Sequence, residues 1–216
     1  MSGFEGEFYD IVYTTPSGKT KTVQLPRVST IISKAMGASP FLVNWAYKLG
    51  QEGGESPSEF VERRADEGMA AHDYVENWIK GYTTDRVDGF MQAWDRFALE
   101  QQLKPSDFLF SEQVVYSLEH GYAGTLDIIR NGPFGPRVDD VKTKKKTIYK
   151  AYTKEIVQCR AYAVAAHEMG LIDEHADTGI IILKPNGRYT YDERTCEPDL
   201  WYAVLEVYKQ LEKHNL

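Results

Sequence analysis

The sequence predicts a mixed α/β (α+β) chain, with a central mixed sheet flanked by helices. Three observations point there. DFLFSEQVVYSLE, GYAGTLDIIR and RVDDVKT, between Asp107 and Thr143, are rich in β-branched and aromatic residues and joined by short turns. Helical spacing dominates before and after them. TGIIILKP and GRYTYDE then read as a second strand pair across Pro185-Asn186-Gly187, ahead of an amphipathic C-terminal segment.

Taken in order, EFYDIVYT and KTKTVQL flank the turn signal TPSG and predict a hairpin over 1–25, closed by Pro26. The stretch 26–105 is mainly helical. VSTIISKAM predicts a short helix and SPFLVNWAYKLG another, stopped by Gly50. After a Gly-rich loop, Ser56-Pro57 opens a long helix running to Lys80, since proline at a first helical position gives up an N–H that had no partner. Another helix is expected from Thr84 to Gln102, ended by Lys104-Pro105. Over 106–216 come the three strands, mostly antiparallel because their connections are short, then a helix from Thr147 to Met169. The strand pair and a final helix from Glu197 to Asn215 complete the order. A length of 216 residues predicts one domain.

Composition narrows the class. No run approaches the ~18 apolar residues of a membrane span, so no membrane partner is expected. The opening MSGFEGEFYD is acidic and lacks an apolar h-region; no signal peptide is read there, and the cytoplasm is the expected compartment. Two cysteines, Cys159 and Cys196, cannot build a disulfide framework or a four-thiolate cluster. Charge is unevenly spread. From Val141 to Arg160 there are seven cations and only Glu155 as an acid, a segment of +6, which against a net −7 leaves −13 for the remainder. A local field of that kind, rather than the net charge, is what steers a polyanion.

Several residues in and before this segment can carry chemistry. Asp140 and Lys142 lie two apart on a predicted strand and share a face, while Asp139 points away. Asp127 precedes the GPFGP turn, so a hairpin pairing would bring it beside Asp140. Two adjacent carboxylates repel unless a cation or a shared proton holds them, and Mg²⁺ or Mn²⁺ suits oxygen ligands. His72 lies on the long helix among Gly68, Ala70 and Ala71, open to close approach, and imidazole is a good Mn²⁺ ligand. Lys154, Gln158 and Tyr162 follow one another at helical spacing, an ammonium, an amide and a phenol in line for a phosphate backbone. Lys144, Lys145, Lys146 and Lys150 extend that cationic edge. Each feature alone has a plainer reading: a surface ion pair, a structural helix histidine, a core tyrosine, a solvated lysine face.

Their order is more specific. GMAAHDYVE, GYAGTLDII, DVKT and QCRAY, in that sequence, resemble the motifs of the RecB-type branch of the PD-(D/E)xK nuclease superfamily. VSTII and NWAYKLG resemble its lead-in segments, so the likeness runs from Pro26 to Met169. The resemblance implies a restriction-endonuclease-like core. It implies a Mg²⁺ or Mn²⁺ site made by His72, Asp127, Asp140 and the backbone carbonyl of Val141, with Glu112 a further candidate. Lys142 would be catalytic alongside Asp127 and Asp140, and Gln158 and Tyr162 would contact DNA. The iron–sulfur cysteines of the CRISPR-associated relatives are missing, so no cluster is expected and the likeness moves toward phage-type recombination exonucleases. No GxxxxGK[ST] loop occurs, so no ATP is expected. The implied activity is metal-dependent hydrolysis of DNA from its ends, in recombination, repair or phage DNA metabolism. A single-strand annealing protein and self-association are compatible partners. The alternative is a catalytically inactive DNA-end-binding accessory protein.

Overall fold

A computed structural model of the chain describes residues 6–37, 56–82, 88–145, 147–173 and 176–215. The predicted helix over SPFLVNWAYKLG, the NWAYKLG segment and Lys146 lie outside them.

The N-terminal hairpin forms as predicted. β1 (Phe8–Thr14) and β2 (Thr20–Pro26) pair antiparallel in a small separate sheet. Helix α1 (Val28–Met36) follows at once. The long helix α2 (Pro57–Ile79) starts where the sequence places it. Ser56 Oγ accepts from Glu59 N at 3.2 Å and Glu59 Oε2 accepts from Ser56 N at 2.8 Å, so two of the N–H groups that the first turn leaves open are satisfied reciprocally. Helix α3 (Gly89–Glu100) is capped by Asp88, whose Oδ1 accepts from Phe90 N and Met91 N.

The central sheet has five strands in the order β3-β4-β5-β6-β7: β3 (Phe108–Ser117), β4 (Tyr122–Gly132), β5 (Gly135–Thr143), β6 (Asp177–Leu183) and β7 (Tyr189–Asp192). Three neighbouring pairs are antiparallel, while β5 and β6 run parallel, from Arg137 opposite Asp177 to Thr143 opposite Leu183. Helix α4 (Thr153–Glu168) makes the crossover that a parallel pair requires, and α5 (Pro198–His214) ends the chain. This is the mixed α+β architecture that the sequence predicts, with helices on both faces. Two starts differ: α3 begins at Gly89, with Asp88 extended as its cap, where the sequence predicts Thr84, and α4 begins at Thr153, not Thr147.

Each face of the sheet has its own core. On one, α1, α4 and α5 bury Ile31, Val157, Ala165 and Trp201 against Tyr122, Leu126, Ile129 and Val138. On the other, Ala71 and Val75 of α2 and Trp94 and Phe97 of α3 pack on Ile128, Val141 and Ile181. The membership of β4 is informative. Leu126 and Ile129 belong to the first core and Ile128 to the second. Residues three apart share a face only if strand alternation slips once between them, and the slip falls at Asp127-Ile128.

Candidate metal centre

The slip lies at the middle of a local parting of three strands. β3 pairs with β4 at Ser111–Ile128 and again at Gln113–Leu126, which sets Glu112 opposite Asp127 with no ladder pair between them. Glu112 has φ of 48°, a left-handed conformation that a non-glycine residue adopts at a cost. On the other side the β4–β5 ladder begins at Ile128–Asp139 and does not reach the next pair, Asp127–Asp140. The three acids therefore sit in one row across three strands, where the backbone ladder is open.

Helix α2 adds the imidazole. Ala71 and Val75 face the core, so His72 emerges at the helix edge toward the sheet. Its Nδ1 is 3.3 Å from Glu112 Oε1 and 3.7 Å from Asp127 Oδ1. Arg64 Nη2 donates to Thr143 O at 3.2 Å and pins the helix to the end of β5. One donor atom each from His72, Glu112 and Asp127 falls within 4.8 Å of the others. Asp127 divides its carboxylate, with Oδ2 accepting from Val141 N at 2.6 Å and Oδ1 turned to His72. Asp140 is not one of this close trio. It is 1% exposed, and neither carboxylate oxygen accepts a hydrogen bond of good geometry, although Lys142 Nζ lies 2.6 Å from Oδ2.

Electrostatics bind the four together. Burial opposes a charge on His72, but Asp127 and the bond to Glu112 outweigh it and raise its pKa to about 9. Burial pushes the Asp140 carboxyl up to about 6, with Asp127 adding to the rise and Lys142 opposing it. Burial acts against the Lys142 ammonium, yet Asp140 and Asp127 hold its pKa above the usual lysine value. A half-hydrogen-bonded carboxylate, an imidazole and a buried carboxylate without hydrogen bonds form an oxygen-rich, nitrogen-poor donor set. Such a set could take a hard divalent cation such as Mg²⁺ or Mn²⁺.

The remaining predicted residues divide. Gln158 Nε2 donates to Tyr162 Oη at 2.7 Å, as their spacing predicts. The Tyr162 ring is 6% exposed and packs against Gly124, and burial raises the pKa of its phenol. Lys150 is exposed, and Lys154 donates to Gly37 O. Lys145 is exposed. Lys144 departs from the expectation of a phosphate-holding edge. It is 5% exposed, its Nζ lies 2.5 Å from Glu155 Oε2, and its pKa is lowered by burial despite that partner. Arg160, a cation of the basic segment, is likewise buried and donates to Cys196 O, Ala176 O and Thr195 Oγ1. Cys159 is buried and donates to Val138 O and Gly179 O, at the long distances of a thiol.

Sequence reasoning missed what the N-terminal hairpin brings. A cleft of about 280 Å³ beside Glu112 and Tyr162 is walled by Tyr9, Arg27, Ser29 and Thr125. Tyr9 Oη is 2.8 Å from Thr125 Oγ1, and the Arg27 guanidinium stands 4.5 Å over the Tyr9 ring. Nothing local marks Tyr9 and Arg27, whose partners on β4 lie about a hundred positions away. A larger cleft of about 530 Å³ between α2 and α3 carries Asp66, Glu67, Asp73 and Asp88 and includes none of the predicted site residues. Among the described residues no helix is long and apolar enough to cross a membrane.

No family model and no curated protein matches the sequence. Among solved structures, one described as "Crystal structure of SSO0001" is similar over 67% of this chain and 87% of its own, at 13% identity and a TM-score of 0.34. At that score the likeness adds nothing to the geometry.

Proposed function

We propose that the chain is a metal-dependent deoxyribonuclease of the PD-(D/E)xK kind that hydrolyses DNA from its ends. One observation carries the reading: the donor atoms of His72, Glu112 and Asp127 converge within 4.8 Å near the buried Asp140 and its partner Lys142. His72, Glu112 and Asp127, with Asp140 beside them, would hold a divalent cation, which would supply activation of a water and charge compensation at the phosphodiester oxygens. The protein's own groups supply the rest. The Val141 N–H fixes Asp127 by one oxygen and leaves the other for ligation. Asp140 holds the Lys142 ammonium 2.6 Å away, and their mutual charge keeps that ammonium protonated. Lys142 is therefore a fixed cation that orients the water and stabilises developing negative charge, not a base that removes its proton. Gln158, held by Tyr162, and the exposed Lys150 would take the phosphate backbone. The products would be a 5′-phosphate and a 3′-hydroxyl.

The test is digestion of end-labelled linear duplex in Mg²⁺ or Mn²⁺, with circular duplex as control. Release of nucleotides from the linear substrate that EDTA stops supports the reading. Asp140→Ala and Lys142→Ala should abolish it in folded protein. Full activity in either variant sinks the assignment. Binding to ends without turnover would favour an accessory protein that lacks catalysis.

A further inference from the structure

Between the Asp140–Lys142 strand and α4 lies a loop whose aromatic side chains the proposed chemistry does not use. Tyr149 is 63% exposed and Tyr152 55%. Each has an ammonium against its ring: Lys184 Nζ stands 3.7 Å from the Tyr149 centroid, and Lys144 Nζ 3.9 Å from that of Tyr152. The two lysines are buried, at 2% and 5% exposure. They follow β6 and β5 directly, and Lys144 N donates to Leu183 O at 2.9 Å, so they mark the carboxyl ends of the parallel pair. That end of a parallel sheet is where ligands commonly bind.

The loop is braced at Lys150 and Ala151. Asp192 Oδ2 accepts from Ala151 N at 2.7 Å, Arg194 Nη2 donates to Ala151 O at 2.8 Å, and Lys144 Nζ donates to Lys150 O at 3.4 Å. Two tyrosine rings thus stand three residues apart on a braced backbone, each with a cation on one face and more than half its surface in water. An ammonium stands against each ring, and over half of each residue's surface remains available to a ligand. Lys150, exposed between them, lies in the +6 segment of a chain that is otherwise −13. Lys144 follows Lys142 by two residues, just past the end of β5, which places the platform at the end of the strand that carries Asp140 and Lys142.

We infer that Tyr149 and Tyr152 form a stacking platform for the unpaired bases of a single DNA strand, delivering its backbone to the site formed by Asp127, Asp140 and Lys142. The inference rests on the nuclease reading for the destination of the strand, not for the stacking. An open aromatic face takes any base, whereas a patch that held only phosphates would need no rings. A paired duplex hides its base faces, so the ligand is a frayed or single-stranded end.

The test is fluorescence anisotropy in EDTA, where hydrolysis is silent. A mixed-sequence single strand is compared with an abasic strand of the same length. The base-bearing strand should bind at least about ten-fold tighter. That preference should vanish in Tyr149→Ala/Tyr152→Ala and survive in Tyr149→Phe/Tyr152→Phe, with circular dichroism confirming that both are folded. Equal binding of the two strands, or a preference that persists in the alanine pair, overturns the platform. The two readings separate cleanly. Base-dependent binding without metal-dependent hydrolysis removes only the nuclease, and hydrolysis without base-dependent binding removes only the platform.

Discussion

Asp139→Ala and Asp140→Asn alter neighbouring acids and should have opposite consequences. Alternation sends the two carboxylates to opposite faces of β5. Asp139 is 0% exposed and accepts from Arg130 Nε at 2.7 Å, Tyr191 Oη at 2.8 Å and Arg137 Nε at 3.3 Å. Its removal strands two guanidiniums that are each 5% exposed. Breaking a buried pair in this way costs about 3–5 kcal/mol. The lower end applies here, about 3 kcal/mol, because Arg137 keeps Glu193 and Arg130 keeps the Phe97 and Tyr191 rings. Asp140 has no such support, since neither oxygen accepts a hydrogen bond and burial pushes its pKa up to about 6. Neutralising it should leave metal-free stability within about 1 kcal/mol of the parent, the lost Lys142 pairing being offset by the desolvation relieved. Urea unfolding in EDTA at neutral pH reads both numbers, with the slope checked for constancy. Hydrolysis in Mg²⁺ should survive in whatever Asp139→Ala protein remains folded and disappear in Asp140→Asn. An Asp139→Ala midpoint equal to the parent's, or an Asp140→Asn loss as large as that of Asp139→Ala, refutes the division into structural and catalytic acids.

Other consequences are equally measurable. A Cβ at Gly124 would lie 2.4 Å from Cε1 of the clamped Tyr162 ring, so Gly124→Ala should cost about 1–3 kcal/mol in urea unfolding, part of it recovered in Gly124→Ala/Tyr162→Leu. Asp192 is held near pKa 2, first by the Arg194 hydrogen bonds and further by the Ala151 and Arg194 N–H groups. Its folded pKa is depressed, so the stabilisation is complete above the unfolded value of 3.8 and lost as pH falls through about 2. The parent should therefore lose about 2 kcal/mol more than Asp192→Asn between neutral and that pH, as followed by denaturant unfolding. Lys150→Gln should reduce the slope of log affinity for DNA against log salt by about 1, whereas Lys144→Met should leave the slope unchanged because that ammonium is already paired with Glu155.

Much of this was written locally. The Ser56-Pro57 start of α2, with Glu59 three residues on, specifies its own cap. Period-two alternation on β5 separates Asp139 from Asp140 and joins Asp140 to Lys142, and helical spacing joins Gln158 to Tyr162. What was not legible depends on distant partners. TIYKAY has the composition to begin α4, but Asp192 and Arg194 take the N–H and C=O of Ala151, groups that a first helical turn would use. Glu112 looks like any exposed strand acid until the missing β3–β4 pair sets it opposite Asp127. Lys144 counts as one more surface cation until Glu155, Lys150 O and the Tyr152 ring enclose it. Tyr9 and Arg27 reach the neighbourhood of the centre only because the N-terminal hairpin packs against β4.

The claim on which the rest depends is that His72, Glu112, Asp127 and Asp140 hold a divalent cation. Electron paramagnetic resonance of free Mn²⁺, titrated with the protein, measures that without DNA or turnover. The account predicts saturable loss of the free-ion signal, competed by Mg²⁺, and absent from Asp127→Asn protein whose circular dichroism matches the parent's. No loss of signal with the parent protein, or equal loss with Asp127→Asn, contradicts it.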